Sequence, residues 1–495
     1  MISRRTFLAA APAAVAASAA RKVLPPEPYG AVPSGPQMAW HHMIFTAFLH
    51  FTVNTFTDKE WGYGDEDPNI FQPAKFDADA IALALKSAGA RGFILTCKHH
   101  DGFCLWPTKT TDHSVRSSSW KGGQGDVVGD LADAARRAGL QFGIYLSPWD
   151  RNSPHYGTAR YIDIYRQQLT ELLTQYGPIF EVWHDGANGG DGYYGGAREK
   201  RVIDKRTYYD WPKTWELVRA LQPLAVIFSD VGPDVRWVGN ERGIAGDPCW
   251  AAYDPVGADG GPAAPGDVRE RESPTGTRHG SHWMPAECDV SIRPGWFWHE
   301  NENARVKTPA QLIDLFYKSV GRGANLLLNV PPNRDGRLQH EDLVSLRGFR
   351  SYTDGTFRED LAVKAKVTAS NIRGKDMTYG PANMVARKPG IAWATDDEVH
   401  VADAVFEFRG AITFNVIAVY EDIRYGQRVD AFVVERWNGG GWEQVASGTS
   451  IGPRRFLRLD KPVTSARVRL RVTQASASPV LSQFSLFAEP PDAIR

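Results

Sequence analysis

Cysteine is scarce, with four in 495 residues: Cys97, Cys104, Cys249 and Cys288. Their spacing matches no zinc motif and their number does not brace a chain of this length, so they read as inert core thiols. Neither sign of charge is in excess, since 57 basic residues face 57 acidic ones. That removes the electrostatic reason to expect nucleic acid or an anionic membrane as a partner. No stretch after the N-terminus approaches the ~18 apolar residues of a membrane span. Three catalytic signatures are missing as well. No GxGxxG follows the first strand-like run, which counts against a dinucleotide-binding sheet. No HExxH offers a hydrolytic zinc site, and no GxSxG elbow sits on a strand-to-helix turn to mark a serine nucleophile. Neither a cofactor nor a metal is expected.

What is present is length and tryptophan. A chain of 495 residues is too long for one ordinary core, so two domains are the starting expectation. Sixteen tryptophans offer flat apolar faces that stack on sugar rings, which makes carbohydrate an early candidate ligand. The first twenty residues, MISRRTFLAAAPAAVAASAA, place Arg4-Arg5 before an alanine-rich stretch. This resembles a twin-arginine export signal, so a periplasmic or secreted bacterial protein is expected.

From 21 to 358 short apolar runs alternate with helical patterns. The runs are FTAFLHF (45–51), GFILTCKHH (92–100), QFGIYLSP (141–148), PIFEVWHD (178–185), AVIFSD (225–230) and ANLLLNV (324–330). Continuous apolar strands are those covered on both faces. Between them, Tyr161, Ile164, Tyr165, Leu169, Leu172, Leu173 and Tyr176 form one helical stripe. Repeated β-then-α units of this number predict a (β/α)8-type barrel. Residues 253–280, rich in Gly, Pro and Asp, read as a long loop over the barrel face. From 359 to 495 the texture becomes alternating, as in ITFNVIAVYED and ARVRLRV, which predicts an antiparallel β-sandwich. No low-complexity linker precedes it, so it is expected to pack directly on the barrel.

Barrel enzymes work at the C-terminal ends of their strands. The polar residues there are His50, His99, His100, Asp101, Asp150, Asp185 and Asp230. The loop GPDVRWVGNERG adds Arg236 and Glu241, and SIRPGWFWHE adds Trp296 and Trp298. The histidines suit hydroxyl binding as neutral imidazoles better than metal ligation, because a recognisable third ligand and spacing are absent. What remains is acidic: Asp185 plus a second carboxylate from Asp230, Asp234 or Glu241. Two carboxylates between aromatic walls are the apparatus for cleaving a glycosidic bond. Spacing does not choose the second.

The segments FLHFTVNTFTDKEWGYGDEDP, KHHDGFCLWPT, IYLSPWD, EVWHDGANG, GPDVRWVGNERG, SIRPGWFWH and NLLLNVPPNRDGRL together resemble glycoside hydrolase family 29, the retaining α-L-fucosidases. The resemblance covers nearly all of 40–490. EWG, SPWD and GNE look like the branch selective for α-1,3/1,4-linked fucose on branched glycans. The resemblance implies Asp185 as nucleophile and Glu241 as acid/base. It further implies His50, Glu60, Trp61, His99, His100, Tyr145, Trp183, Arg236 and Trp298 around the sugar, with the Trp296/Trp298 segment closing the pocket. Arg236 is expected to point at substrate or at Asp185. His184 departs from the Phe or Met expected before the nucleophile. The implied partner is a fucosylated oligosaccharide or glycoconjugate. A fucosidase of broader linkage range and a non-catalytic fucose-binding protein are the alternatives.

Overall fold

The computed structural model describes residues 23–491; the expected export segment lies outside them. Eight parallel strands close a barrel: β1 (Phe45–Leu49), β2 (Gly92–Lys98), β3 (Gln141–Leu146), β4 (Glu181–Trp183), β5 (Val226–Ser229), β6 (Val235–Trp237), β7 (Ala286–Ser291) and β8 (Asn325–Asn329). Each pairs with its neighbours in sequence, and β8 returns to β1 with Phe45 opposite Leu326. All six apolar runs became barrel strands. The two that were not anticipated are β6 and β7. The first is three residues long, and the second, AECDVS, turns polar side chains inward and so carries no continuous apolar run.

Helices cover the outside. α1 (Gly35–His41) precedes β1, α2 (Val53–Thr57) and α3 (Ala78–Ser87) follow it, and α4 (Val127–Ala138), α5 (Ala159–Gln175) and α6 (Trp211–Leu221) follow β2, β3 and β4. α7 (Pro309–Lys318) and α8 (His340–Thr356) follow β7 and β8. No α-helix separates β5 from β6 or β6 from β7, so two of the eight units are irregular. The expected stripe on α5 is the buried face, with Tyr161, Tyr165, Leu169 and Leu172 against the sheet. Asp77 and Asp126 start α3 and α4 by accepting backbone N–H groups of their first turns.

Inside the barrel, Trp40, Phe48, Ile94, Trp183, Phe228 and Leu327 fill the lower layers. This plug makes the cavity above it blind-ended. Beyond α8 an antiparallel sheet domain carries two long strands, β11 (Ala402–Glu421) and β14 (Arg455–Ala475), paired along most of their length. Around them lie β9 (Lys366–Ala369), β10 (Trp393–Ala394), β12 (Val429–Trp437), β13 (Trp442–Gly448) and β15 (Val480–Phe487). As expected, this domain sits directly on the barrel. Phe456 and Phe487 pack on Phe357 at ring distances of 5.6 and 5.1 Å, and the buried Arg454 donates to the backbone carbonyls of His41 and Ala324. All four cysteines are buried and free. Among the described residues, no helix is long and apolar enough to cross a membrane.

Candidate active site

The strand ends converge on one cavity of about 360 Å³. Asp185 stands where β4 stops, at its wall. Its Oδ2 accepts a hydrogen bond from the Tyr145 hydroxyl at 2.8 Å, and its Oδ1 accepts the Ala187 N–H at 2.7 Å. Both oxygens are thereby aimed. The glycine after it is required by close approach: a Cβ on Gly186 would lie 2.2 Å from an Asp230 carboxyl oxygen. Asp230 in turn accepts the Gly266 N–H at 2.7 Å and so ties down the long loop between β6 and β7.

Three imidazoles line the same wall. His50 contacts the Asn329 Oδ1 at 2.9 Å. The Asn329 amide group is committed as donor to Ser291 and to the Trp296 carbonyl, so its oxygen accepts and the His50 Nδ1 carries the proton. The same logic fixes His100. Ser147 donates to the Trp149 carbonyl and lies 2.7 Å from the His100 Nδ1, which must therefore donate to it. In both neutral rings Nε2 is left as an acceptor, and the His100 Nε2 lies 3.9 Å from Asp185. His99 lies between them, tilted to the His100 ring at 4.1 Å and edge-on to His50 at 5.5 Å. Burial lowers the pKa of all three, to about 3 for His50, to about 4 for His100 and well below the usual value for His99. They remain uncharged at neutral pH.

The floor is Trp183, stacked on Phe228 at 4.1 Å and on Tyr145 at 5.3 Å. Its indole N–H donates to Glu287 at 3.0 Å, beneath the cavity. At the mouth Trp61 is 54 % exposed and packs edge-on against His100 and Trp149. Trp296 forms the opposite side, with His50 5.1 Å away. Glu241 lies on the loop after β6, exposed as a residue but with its carboxyl turned to the cavity. Partial desolvation and the charge of Asp185 raise its pKa, against a hydrogen bond from Trp296 that lowers it.

A family model described as alpha-L-fucosidase matches residues 31–355. The chain is 44 % identical to Alpha-L-fucosidase 1 of Arabidopsis thaliana over 469 residues, which are 94 % of this chain and 89 % of that protein. The chain belongs to the α-L-fucosidase family. Solved members of glycoside hydrolase family 29 share its fold. One from an unknown rumen bacterium has a TM-score of 0.83 at 41 % identity, covering 94 % of this chain and 80 % of that one. Another, a Ruminococcus gnavus fucosidase in complex with fucose, has a TM-score of 0.84 at 30 % identity, covering 96 % and 98 %.

Three expected pocket residues of this fucosidase lie elsewhere. Arg236 is wholly buried behind the wall. Its guanidinium donates to the backbone carbonyls of Ser273 (3.0 Å), Trp250 (2.9 Å) and Met284, and stacks on Tyr253. The resemblance implied a substrate contact, but β6 turns Arg236 outward, under the long loop. Glu60 accepts the N–H groups of Trp296 (2.8 Å) and Phe297 (3.1 Å) and contacts His299 at 2.6 Å, so it clamps the loop that carries Trp296. Trp298 is buried away from the cavity beneath Arg334. In its place Phe297 packs edge-on to His50 and His99. His184 faces α5, 2.9 Å from the Tyr165 hydroxyl, and burial holds its pKa at about 3.

Of the carboxylates left open by spacing, Asp234 points away from the cavity, accepting the Ile227 N–H and pairing with Arg219. Asp230 does line it, with its pKa raised to about 7 by burial and by Asp185. Two acids went unanticipated, Glu270 and Asp289. Glu270 sits in a loop without periodic signal. Asp289 had a signal, the alternation of Glu287, Asp289 and Ser291 in AECDVS.

Proposed function

We propose that the protein is a retaining, exo-acting α-L-fucosidase that releases terminal α-1,3/1,4-linked L-fucose, and that it works in the periplasm or outside the cell. The observation that carries the reading is that Asp185 and Glu241 meet in one blind-ended cavity whose three histidines are neutral. A blind end admits a terminal sugar and excludes the interior of a chain. Asp185, oriented by Tyr145 and the Ala187 N–H, attacks the anomeric carbon, and Glu241 protonates the departing oxygen. The raised pKa of Glu241 keeps that proton available at higher pH. Once the leaving sugar has gone, Glu241 takes a proton from water, which hydrolyses the fucosyl-enzyme. The Nε2 acceptors of His50 and His100 bind fucose hydroxyls, while Trp183 and Trp296 supply apolar faces.

Support for the linkage comes from the mouth. Trp61 is exposed there, and Val268 and Glu270 extend the lining on the long loop. Such remote contacts with a second sugar arm can raise kcat as well as affinity. NMR of the first-formed fucose anomer tests the mechanism: retention is expected, and an inverted anomer overturns both roles. Asp185→Ala should lose nearly all activity and regain part of it with azide. On defined oligosaccharides, branched α-1,3/1,4-fucosylated substrates should be cleaved far faster than α-1,2-fucosyl compounds. Equal rates mean the broad-range reading, and no turnover of any fucoside means a binding protein.

A further inference from the structure

The strand β7 alternates. Cys288 and Val290 face outward into apolar clusters, while Glu287, Asp289 and Ser291 face the barrel interior. Glu287 lies under the floor, bound to Trp183, and Asp289 is one pleat higher, in the cavity wall. The proposed reaction uses Asp185 and Glu241 and gives Asp289 no task. We propose that Asp289 is a further substrate-contacting residue, a neutral carboxylic acid that donates a hydrogen bond from Oδ2 to a hydroxyl of the bound sugar. This rests on the reading of the cavity as the fucose site.

The geometry assigns the two oxygens. The Trp237 indole N–H, which can only donate, lies 2.8 Å from the Asp289 Oδ1, so that oxygen is an acceptor. Among the described residues no other side chain hydrogen-bonds Asp289, its remaining contact being with its own backbone, and the 3 % of its surface left open belongs to the cavity lining. The ionisable groups acting on it are the acids Glu241 and Glu287, with no cation among them. A carboxyl buried without a cation escapes the cost of its charge by keeping its proton. Burial first, then those two acids, hold Asp289 well above the usual carboxylate range, with only partial opposition from Trp237 and from its own backbone. With Oδ1 occupied as acceptor, the proton belongs on Oδ2, facing the space that the sugar fills. A carboxylic acid kept neutral in an enclosed site is a strong donor. The negative charge that Glu241 acquires on giving up its proton raises Asp289 further, so the donor persists through both halves of the reaction.

Asp289→Asn and Asp289→Ala are compared with the unaltered protein on an aryl α-L-fucoside and on its monodeoxy analogues, with melting curves for each. Asparagine keeps an acceptor for Trp237 and a donor for the sugar, so its kcat/KM should stay within about threefold. Alanine should lose about 10–100-fold on the parent fucoside, the scale of one buried hydrogen bond whose partner is left unmet. On one monodeoxy analogue, the one lacking the contacted hydroxyl, the alanine variant and the unaltered protein should converge. A loss equal across the whole series, an Asp289→Ala enzyme that is kinetically unchanged, or a folded Asp289→Asn enzyme damaged as much as Asp289→Ala each overturns the assignment. Should Asp289→Ala fail to fold, L-fucose affinity against pH decides between Glu241→Gln and Glu241→Gln/Asp289→Asn. Only the first should weaken on the alkaline side, as the Oδ2 proton is lost, and superimposable curves reject the donor. If the unaltered protein hydrolyses no fucoside, the reading of the site itself falls, whatever Asp289 does.

Discussion

Replacing Arg236 separates a substrate contact from a structural pin. In the fold its guanidinium holds three carbonyls that bracket the long loop between β6 and β7: Trp250 near its start, Ser273 in its middle and Met284 at its end. Arg236→Met preserves much of the stem and removes all the donors. Hydrogen bonds to a charged group contribute ~1.5–3 kcal/mol each, so three would sum to more than ~4.5 kcal/mol. Loop relaxation and entering water reduce this to about 3–5 kcal/mol, the range for breaking a buried ionic network. At roughly 2 °C per kcal/mol for a large domain, the melting temperature should fall by about 6–10 °C. Alternatively the loop opens by itself, and limited proteolysis should then cut between residues 254 and 270 faster than in the unaltered protein. KM should rise too, because Gly266, Val268 and Glu270 line the cavity from this loop.

Arg236→Lys decides whether charge or fork geometry matters. One ammonium cannot reach three carbonyls spread around a planar guanidinium, so lysine should behave nearly as badly as methionine. The reasoning is refuted by a variant with unchanged melting, unchanged proteolysis and a large loss of kcat or rise in KM. That pattern would make Arg236 a substrate contact after all.

The remaining expectations concern the pocket, pH and the second domain. Trp296→Ala should raise KM about tenfold or more, since its ring borders the cavity. Trp298→Ala, beneath Arg334, should instead cost about 3–5 kcal/mol of stability with little change in KM; kinetics and melting of both variants check this. In its proposed role Glu241 is an acid with a raised pKa, so the rate should fall only as pH climbs through that raised value, and Glu241→Gln should abolish this alkaline limb in the pH–rate profile. His50 and His100 stay neutral in the fold down to about 3 and 4, whereas in the unfolded chain they bind protons from ~6.5. Their folded pKa is depressed, so stability is lost as pH falls from ~6.5 towards 4; a flatter acid slope of denaturation in His100→Asn is the check. Truncation after residue 358 should uncover Phe357 and Tyr317 and produce an aggregating, less stable barrel, and a soluble one with native melting would contradict that.

The parts of the fold legible in the sequence were those where local chemistry and position agree. Six barrel strands announced themselves because helices cover their outer faces and apolar side chains such as Phe48, Ile94 and Phe228 fill the inside. Asp185 was legible for a related reason: it stands where the apolar run PIFEVW stops. The Gly186 beside it was readable only as a turn, since nothing local reveals that an Asp230 oxygen would occupy the space of its Cβ. β6, with Val235 and Trp237 inward, was too short at three residues to show a run, and β7 was hidden by the opposite condition. The barrel interior at that sector is carboxylic, with Glu181, Glu287 and Asp289 sustained by indole donors from Trp40, Trp183 and Trp237. A strand whose inward face is polar cannot show the pattern of a buried strand.

That interior also explains where sequence reasoning placed residues correctly by element but wrongly by face. Arg236, Glu60 and Trp298 all sit in segments that border the cavity, and each turns its side chain to hold backbone instead of sugar. The face is decided by partners far along the chain: carbonyls 14 to 48 residues away for Arg236, and a loop 236 residues away for Glu60. A segment match carries the position of a residue but not the direction of its side chain. The three indole–carboxyl pairs lie under the same limit, because each joins two strands or a strand and a helix. Conversely, they show why the site needs so many tryptophans. An indole N–H is a donor that brings no charge, so it can satisfy one oxygen of a buried acid without ionising it. A lysine in the place of Trp237 would draw the proton from Asp289 and convert a donor in the cavity wall into a second anion beside Glu241.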